Sequence, residues 1–236
     1  MNEEISLSNE ELDYSIPETT EVWEPEPEVV TPEPSTTLGM EPPEGAIVLG
    51  PLDWIHEKSR KSLQWTADNG VMTVVAGTGD IETKRLFGDM KLHLEWRTPE
   101  VIEGEGQGRG NSGVFFQKRY EVQILDSYEN RTYSNGQAAA IYKQFPPLVN
   151  ACLPPGQWQT YDITFKAPQF DDDGNRTSAG RLTVIQNGVT VQDDVELLGT
   201  TEYIGLPLNI AHGNDALKLQ DHGNPVSFRN IWVEEM

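Results

Sequence analysis

Three stretches of this chain carry ionisable and amide side chains at every second residue. That spacing sends neighbours in an extended strand to opposite faces. In Lys91–Arg97, Leu92, Leu94 and Trp96 fall on one face and His93, Glu95 and Arg97 on the other. In Tyr120–Ile124 the apolar face is Tyr120, Val122 and Ile124, opposed by Glu121 and Gln123. In Leu217–His222, Leu217 and Leu219 oppose Lys218, Gln220 and His222. One face of an antiparallel sheet is commonly wet and therefore polar. Such faces usually fill with Lys, Thr, Ser and Glu, whereas here Glu, Arg, Gln, Lys and His are interleaved. These types suit bidentate hydrogen bonding of sugar hydroxyls or acid–base work. Side by side, the three strands would form one polar groove.

The elements that must position these residues are strands. Short apolar or alternating runs recur from Gly45 onward: Ala46–Leu49, Leu63–Thr66, Val71–Val75, Met90–Thr98, Gly113–Gln117 and Tyr120–Leu125, then Thr160–Lys166, Arg181–Gln186, Val189–Gln192, Ala216–Asp221 and Val226–Glu234. Asp68-Asn69-Gly70 and Asn187-Gly188 stand between paired runs and supply the positive φ angles of tight hairpins. No stretch sustains helical periodicity, and there is no internal repeat. The pattern predicts an all-β domain, a sandwich or barrel.

Other residues with chemical potential are less well placed. Cys152 has no base near it in sequence and reads as a buried, inert thiol. As the sole cysteine it forms no intrachain disulfide. The four histidines, His56, His93, His212 and His222, lack close metal-ligand spacing. A looser site for a divalent metal ion, made with carboxylates, stays open. Gly104–Gly113 is glycine-rich but lacks the phosphate-loop pattern, so it reads as a mobile loop at the groove's rim. Asn130-Arg131-Thr132 and Asn175-Arg176-Thr177 match the N-glycosylation pattern, which has meaning only in a eukaryotic secretory context.

The chain has 236 residues, enough for one sizeable domain. Residues 1–44 hold thirteen acidic residues, seven prolines and no Lys or Arg; setting those thirteen charges aside leaves −8 of the total −21. An acidic chain does not seek phosphate backbones, so nucleic acid and anionic membrane surfaces are poor partners. No apolar run is long enough for a transmembrane segment. Residues 1–44 read as a disordered tail whose Pro/Glu alternation favours extended polyproline II and cannot bury a core. Truncation at Gly45 should then leave the melting temperature nearly unchanged. Trp23 is the tail's one large apolar residue, either incidental or an anchor that docks on the domain or a neighbour. The N-terminus lacks the basic and apolar regions of a signal peptide, which fits a cytoplasmic protein or a sequence that begins after a removed signal.

Residues 45–236 resemble the 3-keto-disaccharide hydrolase domain family. The resembling segments include Gly77-Thr78-Gly79-Asp80-Ile81, Leu94-Glu95-Trp96-Arg97-Thr98-Pro99, Gly110-Asn111-Ser112-Gly113-Val114, Tyr120-Glu121-Val122-Gln123-Ile124-Leu125-Asp126-Ser127, Pro154-Pro155-Gly156-Gln157-Trp158, and Leu219-Gln220-Asp221-His222-Gly223-Asn224-Pro225. They appear in the family's order. Two places depart from it. The segment Leu49-Gly50-Pro51-Leu52-Asp53-Trp54-Ile55-His56 replaces the family's usual opening and would remodel one rim. Lys143 stands where the family has Gly after Ala140-Ile141-Tyr142, and would crowd or charge the site.

The resemblance implies a concanavalin A-like jelly-roll sandwich of two antiparallel sheets, and a periplasmic or secreted bacterial enzyme acting on carbohydrate. The implied reaction cleaves 3-keto-glycosides. A ketone at C3 acidifies the hydrogen at C2; a base removes it, the enolate expels the glycosidic oxygen from C1, and water then adds to the enone. His222 is the first choice of base, because histidine ordinarily titrates near neutrality. Glu95 and Glu121 follow as base, acid or metal ligands. Arg97, Lys218 or a metal would steady the enolate. Gln123 and Gln220 would orient hydroxyls, with Asn111 at the rim and Asp221 as further substrate-binding candidates. If Asp221 points into the groove, His222 instead supports its loop. Two other classes stay open: a non-catalytic carbohydrate-binding module, which would show aromatic platforms, and a structural or assembly protein using the acidic tail.

Overall fold

The computed structural model describes residues 12–236. The first part of the expected tail, residues 1–11, lies outside the described residues. Two antiparallel sheets make a sandwich. The larger runs, in spatial order, Val189–Glu196, Arg181–Gln186, Gln159–Lys166, Met90–Arg97, Ser227–Glu235, Val71–Thr73 and Thr66–Asp68, and Ile47–Val48 also pairs with Ser227–Glu235. The smaller sheet runs Trp54–His56, Ile81–Phe87, Asp215–Leu219, Ser112–Phe116 and Tyr120–Ile124. This is the expected concanavalin A-like architecture.

The hairpin signals act where the sequence put them. Asn187 and Gly188 take φ of 52° and 81°, and Asn69 and Gly70 take 48° and 77°. Both central residues of each turn are thus left-handed, as a two-residue hairpin matched to strand twist requires. Two segments escape the alternation reading, one in each sheet. In Ile81–Phe87 the buried Glu82 and Thr83 and the exposed Lys84 and Arg85 hide the period. Of the run Leu63–Thr66, only Thr66 enters a strand. Its Trp65 turns into the core, stacks on Phe228 at 5.8 Å, and donates its indole N–H to the Gly79 carbonyl.

The two inner faces share one apolar core. Leu92, Leu94, Trp96, Ile163 and Phe165 of the larger sheet meet Val114, Phe116, Tyr120, Val122, Leu217 and Leu219 of the smaller. Phe116 and Phe165 touch across the gap with ring centroids 4.8 Å apart. Each such side chain contributes about 1.5–3 kcal/mol by leaving water. The Tyr161 hydroxyl crosses the sandwich and donates to the Gln123 carbonyl at 2.7 Å.

The N-terminal segment departs from expectation. None of residues 12–44 is buried, as its composition requires, yet the segment is fastened along the domain rather than free of it. Glu28–Val29 pairs in parallel with Val149–Asn150. Ser134 N–H donates to the Val22 carbonyl, and Val22 N–H to Asn135 Oδ1. Arg131 pairs with Glu24 and Glu26. Further on, Thr37 donates to Asp162 and Gly39 N–H to Glu95. The physical reason is that a proline-rich segment can satisfy its backbone by hydrogen-bonding to a surface without burying side chains. Composition reports only the second property.

Candidate active site

The alternation within each strand is as expected, but the strands do not lie side by side. Lys91–Arg97 belongs to the larger sheet, whereas Tyr120–Ile124 and Leu217–Leu219 belong to the smaller. Because all three apolar sets enter the common core, the polar set of the first strand faces away from the other two. Glu95 and Arg97 are therefore not in one groove with Glu121, Gln123, Gln220 and His222. Alternation tells which side chains avoid the core; it cannot tell which layer a strand joins.

Over the outer face of the smaller sheet lies a cleft of about 620 Å³. Its lining includes Glu121, Gln123, Asn111, Gln220 and His222, five of the residues singled out by sequence. Glu121 is the chemically unusual one. It is 4% exposed, and among the described residues no hydrogen bond reaches its carboxyl. Burial pushes the carboxyl up to about 8, against the opposing pull of Lys218 and with some help from Asp80. A Cβ on Gly113 would fall 2.4 Å from Glu121 Oε1, so the absence of a side chain there makes room for the carboxyl.

The amides around it divide into two kinds. Gln123 is braced: its Nε2 donates to Gln107 Oε1 at 3.0 Å, and its Oε1 accepts from Ile124 N–H. Asn111 Nδ2 likewise donates to the Gln107 carbonyl at 2.7 Å. Gln220 is different, because its Oε1 is buried and has no partner. An unpaired buried acceptor at a cleft wall is poised to take a hydrogen from a ligand hydroxyl. His222 is exposed and borders the same cleft.

Three expected site residues have other work. Lys218 pairs with Asp80 at 3.1 Å and sits 4.0 Å from the centroid of the Phe115 ring. Asp221 does not enter the cleft: it accepts the N–H groups of Gly79 and Gly223 and so pins the turn that carries His222. The alternation that pointed His222 outward thus ends at this turn without removing His222 from the cleft. Arg97 lies on the far sheet, 4.6 Å from the Trp158 ring centroid, and Arg229 lies 4.1 Å from the same ring.

Glu95 is fully buried on that far sheet. Burial disfavours its charge, but hydrogen bonds with His93, Asn230, Gly39 N–H and Arg229 outweigh it and hold the carboxyl down at about 2. His93 feels the same burial, yet Asp162 at 2.7 Å and Glu95 raise its affinity for a proton. This is a buried ion cluster, bordered by Gly39, Met40 and Glu41 of the N-terminal segment and separate from the Glu121 cleft. Cys152 is buried, with its thiol pushed up to about 11 by burial, as an inert cysteine should be. Among the described residues no three His, Cys, Asp or Glu side chains gather into a metal site.

Sequence reasoning missed the aromatic wall. Tyr133, Tyr142, Tyr203 and Phe115 line the cleft, and Trp23 joins them from the N-terminal segment. The Tyr133 and Tyr142 hydroxyls share a hydrogen bond of 2.6 Å. Burial pushes Tyr142 up to about 12. These tyrosines sit in loops, where no period marks them. The glycine-rich loop was legible as a rim: Gly106, Gln107 and Asn111 line the cleft. Lys143 is not among the residues lining the cleft; its ammonium turns to the carbonyls of Pro17 and Tyr203.

Residues 52–234 match the family described as 3-keto-alpha-glucoside-1,2-lyase-like domain. A solved structure from Parabacteroides distasonis, provisionally named a glycosyl hydrolase, is 46% identical; the match covers 93% of this chain and 96% of that one, with a TM-score of 0.81. Two further P. distasonis structures of the same provisional name are 18% and 19% identical, with TM-scores of 0.57 and 0.55. The first covers 78% of this chain and 88% of its own, the second 80% and 100%. At that identity they share the fold. No curated protein matches this chain.

Proposed function

The chain belongs to the 3-keto-alpha-glucoside-1,2-lyase-like family, a family of carbohydrate-active enzymes, and we propose that it cleaves 3-keto-glycosides by elimination in the cleft around Glu121. The observation that carries this reading is the Glu121 carboxyl itself, buried, without a hydrogen-bond partner and pushed up to about 8. Such a group is protonated at neutral pH and can donate a proton in a dry site.

In this reading His222 takes the C2 proton of the oxidised sugar. The electron pair moves into the C2–C3 bond and leaves charge on the C3 oxygen. The Tyr133–Tyr142 hydroxyl pair offers that oxygen a donor from the cleft wall. The enolate then re-forms the ketone, a C1–C2 double bond appears, and the C1–oxygen bond breaks. Glu121 gives its proton to the departing oxygen. Gln220 Oε1 accepts a sugar hydroxyl and Asn111 borders the ring. Water adding at C1 would complete net hydrolysis.

The test is purified protein on a 3-keto-glucoside and on its unoxidised parent. Only the ketone should be cleaved, because the parent's C2 hydrogen is not acidic. Ready cleavage of the parent would overturn elimination; Glu21, the other carboxylate bordering the cleft, would then become the partner of Glu121 in conventional hydrolysis. The aromatic wall also suits a non-catalytic binder. A binder would hold the sugar equally well in wild type and in Glu121→Gln and turn over neither ligand.

A further inference from the structure

The family-matched stretch begins at residue 52, yet one wall of the cleft comes from before it: Glu21 and Trp23 both line the cavity. Trp23 is held there from several sides. Its indole N–H donates to Glu21 Oε2 at 3.2 Å. Its ring meets Tyr133 edge-on, with centroids 6.0 Å apart and planes at 75°. The Arg131 guanidinium lies 5.7 Å from the ring centroid. The backbone on either side is tied down as well, since Ser134 Oγ donates to the carbonyls of Trp23 and Pro25, and Asn135 Nδ2 to that of Thr20.

This fastening is far more than an incidental aromatic in a linker would have. Despite it, Trp23 remains 45% exposed and lines the cleft. An indole held rigidly and left half-bare at a cavity wall has little conformational entropy left to lose on binding. The rings are linked by contacts that start beside the reacting group. Tyr142 N–H donates to the Glu121 carbonyl at 3.2 Å, the Tyr142 and Tyr133 rings are 6.2 Å apart, and the Tyr133 and Trp23 rings 6.0 Å.

We infer that the N-terminal segment supplies a second subsite, in which Trp23 stacks on the apolar face of a ring attached to the reacting sugar. The segment thereby selects two-ring glycosides over glycosides of small alcohols. Sugar rings present a face of C–H groups that packs against an indole, and Glu21 and Arg131 at the margin offer an acceptor and donors for its hydroxyls. The assignment of the reacting centre rests on the function proposed above; the subsite itself rests on Trp23.

The experiment compares wild type, Trp23→Ala and Trp23→Phe on two probes, a 3-keto-disaccharide and methyl 3-keto-glucoside. Trp23→Ala should lower kcat/KM about tenfold on the disaccharide, chiefly through KM, and leave the methyl glycoside within about twofold. Trp23→Phe should restore most of the loss. Equal losses on both probes, or none on either, would overturn the subsite. Calorimetric titration of the same proteins with unoxidised disaccharide and methyl glucoside separates this inference from the reaction. If elimination is wrong, cleavage of the two ketones no longer reports on the subsite, yet Trp23→Ala should still weaken disaccharide binding alone. Wild type that binds the disaccharide no better than the methyl glucoside would overturn it.

Discussion

The carboxyl of Glu121 fills the space that a side chain at Gly113 would need. A Cβ there would come within 2.4 Å of Oε1 and 2.9 Å of the Phe115 ring. Gly113 therefore sets where the acid sits without touching a ligand. Gly113→Ala should keep the strand, because its backbone is not left-handed, while forcing Glu121 aside. Turnover should fall by about 10²-fold, with a stability loss of about 1–3 kcal/mol from overpacking. Steady-state kinetics beside a denaturant melt would separate the two; a loss of stability without loss of turnover would place the carboxyl elsewhere.

Glu121→Gln should lower turnover by about 10²–10⁴-fold while ligand binding persists. In wild type, activity should fall as pH rises through about 8, where the buried carboxyl gives up its proton, and that limb should be missing from the residual activity of the variant. The sign for stability follows from the same shift. The folded value lies above the ordinary 4.5 of a free glutamate, so folding favours the protonated form. The stability this group contributes is complete below about 4.5 and lost as pH climbs to about 8. Melting temperatures of wild type and Glu121→Gln should converge in acid and diverge, to the disadvantage of wild type, above neutrality.

His222 is exposed and adds nothing to the core, so His222→Ala should melt with wild type. It should nevertheless abolish cleavage of a 3-keto-glycoside. Deuterium at C2 should exchange with solvent or slow the wild-type reaction. Retention of full activity by the variant would transfer the base role to another group in the cleft.

Truncation at Gly45 removes the Gly39 N–H from Glu95 and the Thr37 hydroxyl from Asp162. The expectation of an unchanged melting temperature is accordingly replaced: the truncated domain should melt about 5 °C or more below full length, since about 1 kcal/mol corresponds to 2–4 °C in a chain of this size. Glu95 adds a pH signature. Its folded value of about 2 lies below the ordinary 4.5 of a free glutamate, so its contribution is present above 4.5 and lost as pH falls toward about 2. Glu95→Gln should cost about 3 kcal/mol at neutral pH, flatten the acid limb of the stability curve, and leave cleavage unaffected.

Local chemistry was legible in the chain because it is written locally. Period-two alternation identified the outward set of each strand, Asn187-Gly188 its hairpin, and the Pro/Glu composition of residues 12–44 their exclusion from the core. Glu121, Gln123, Gln220 and His222 could be chosen on that basis and do border one cleft. What the chain could not disclose is which layer each strand joins, because pairing between Met90–Arg97 and Gln159–Lys166 is a contact across more than sixty residues. That pairing alone sends Glu95 to a covered ion cluster and leaves Glu121 in a cavity. Two carboxyls on similar alternating strands are thereby driven in opposite directions, one down to about 2 by its hydrogen-bond partners and the other up to about 8 by burial without such partners. The tyrosine wall and the docking of Trp23 depend in the same way on loops brought together by the fold. A side chain's chemistry belongs to its sequence, but its solvation and its partners belong to the tertiary structure.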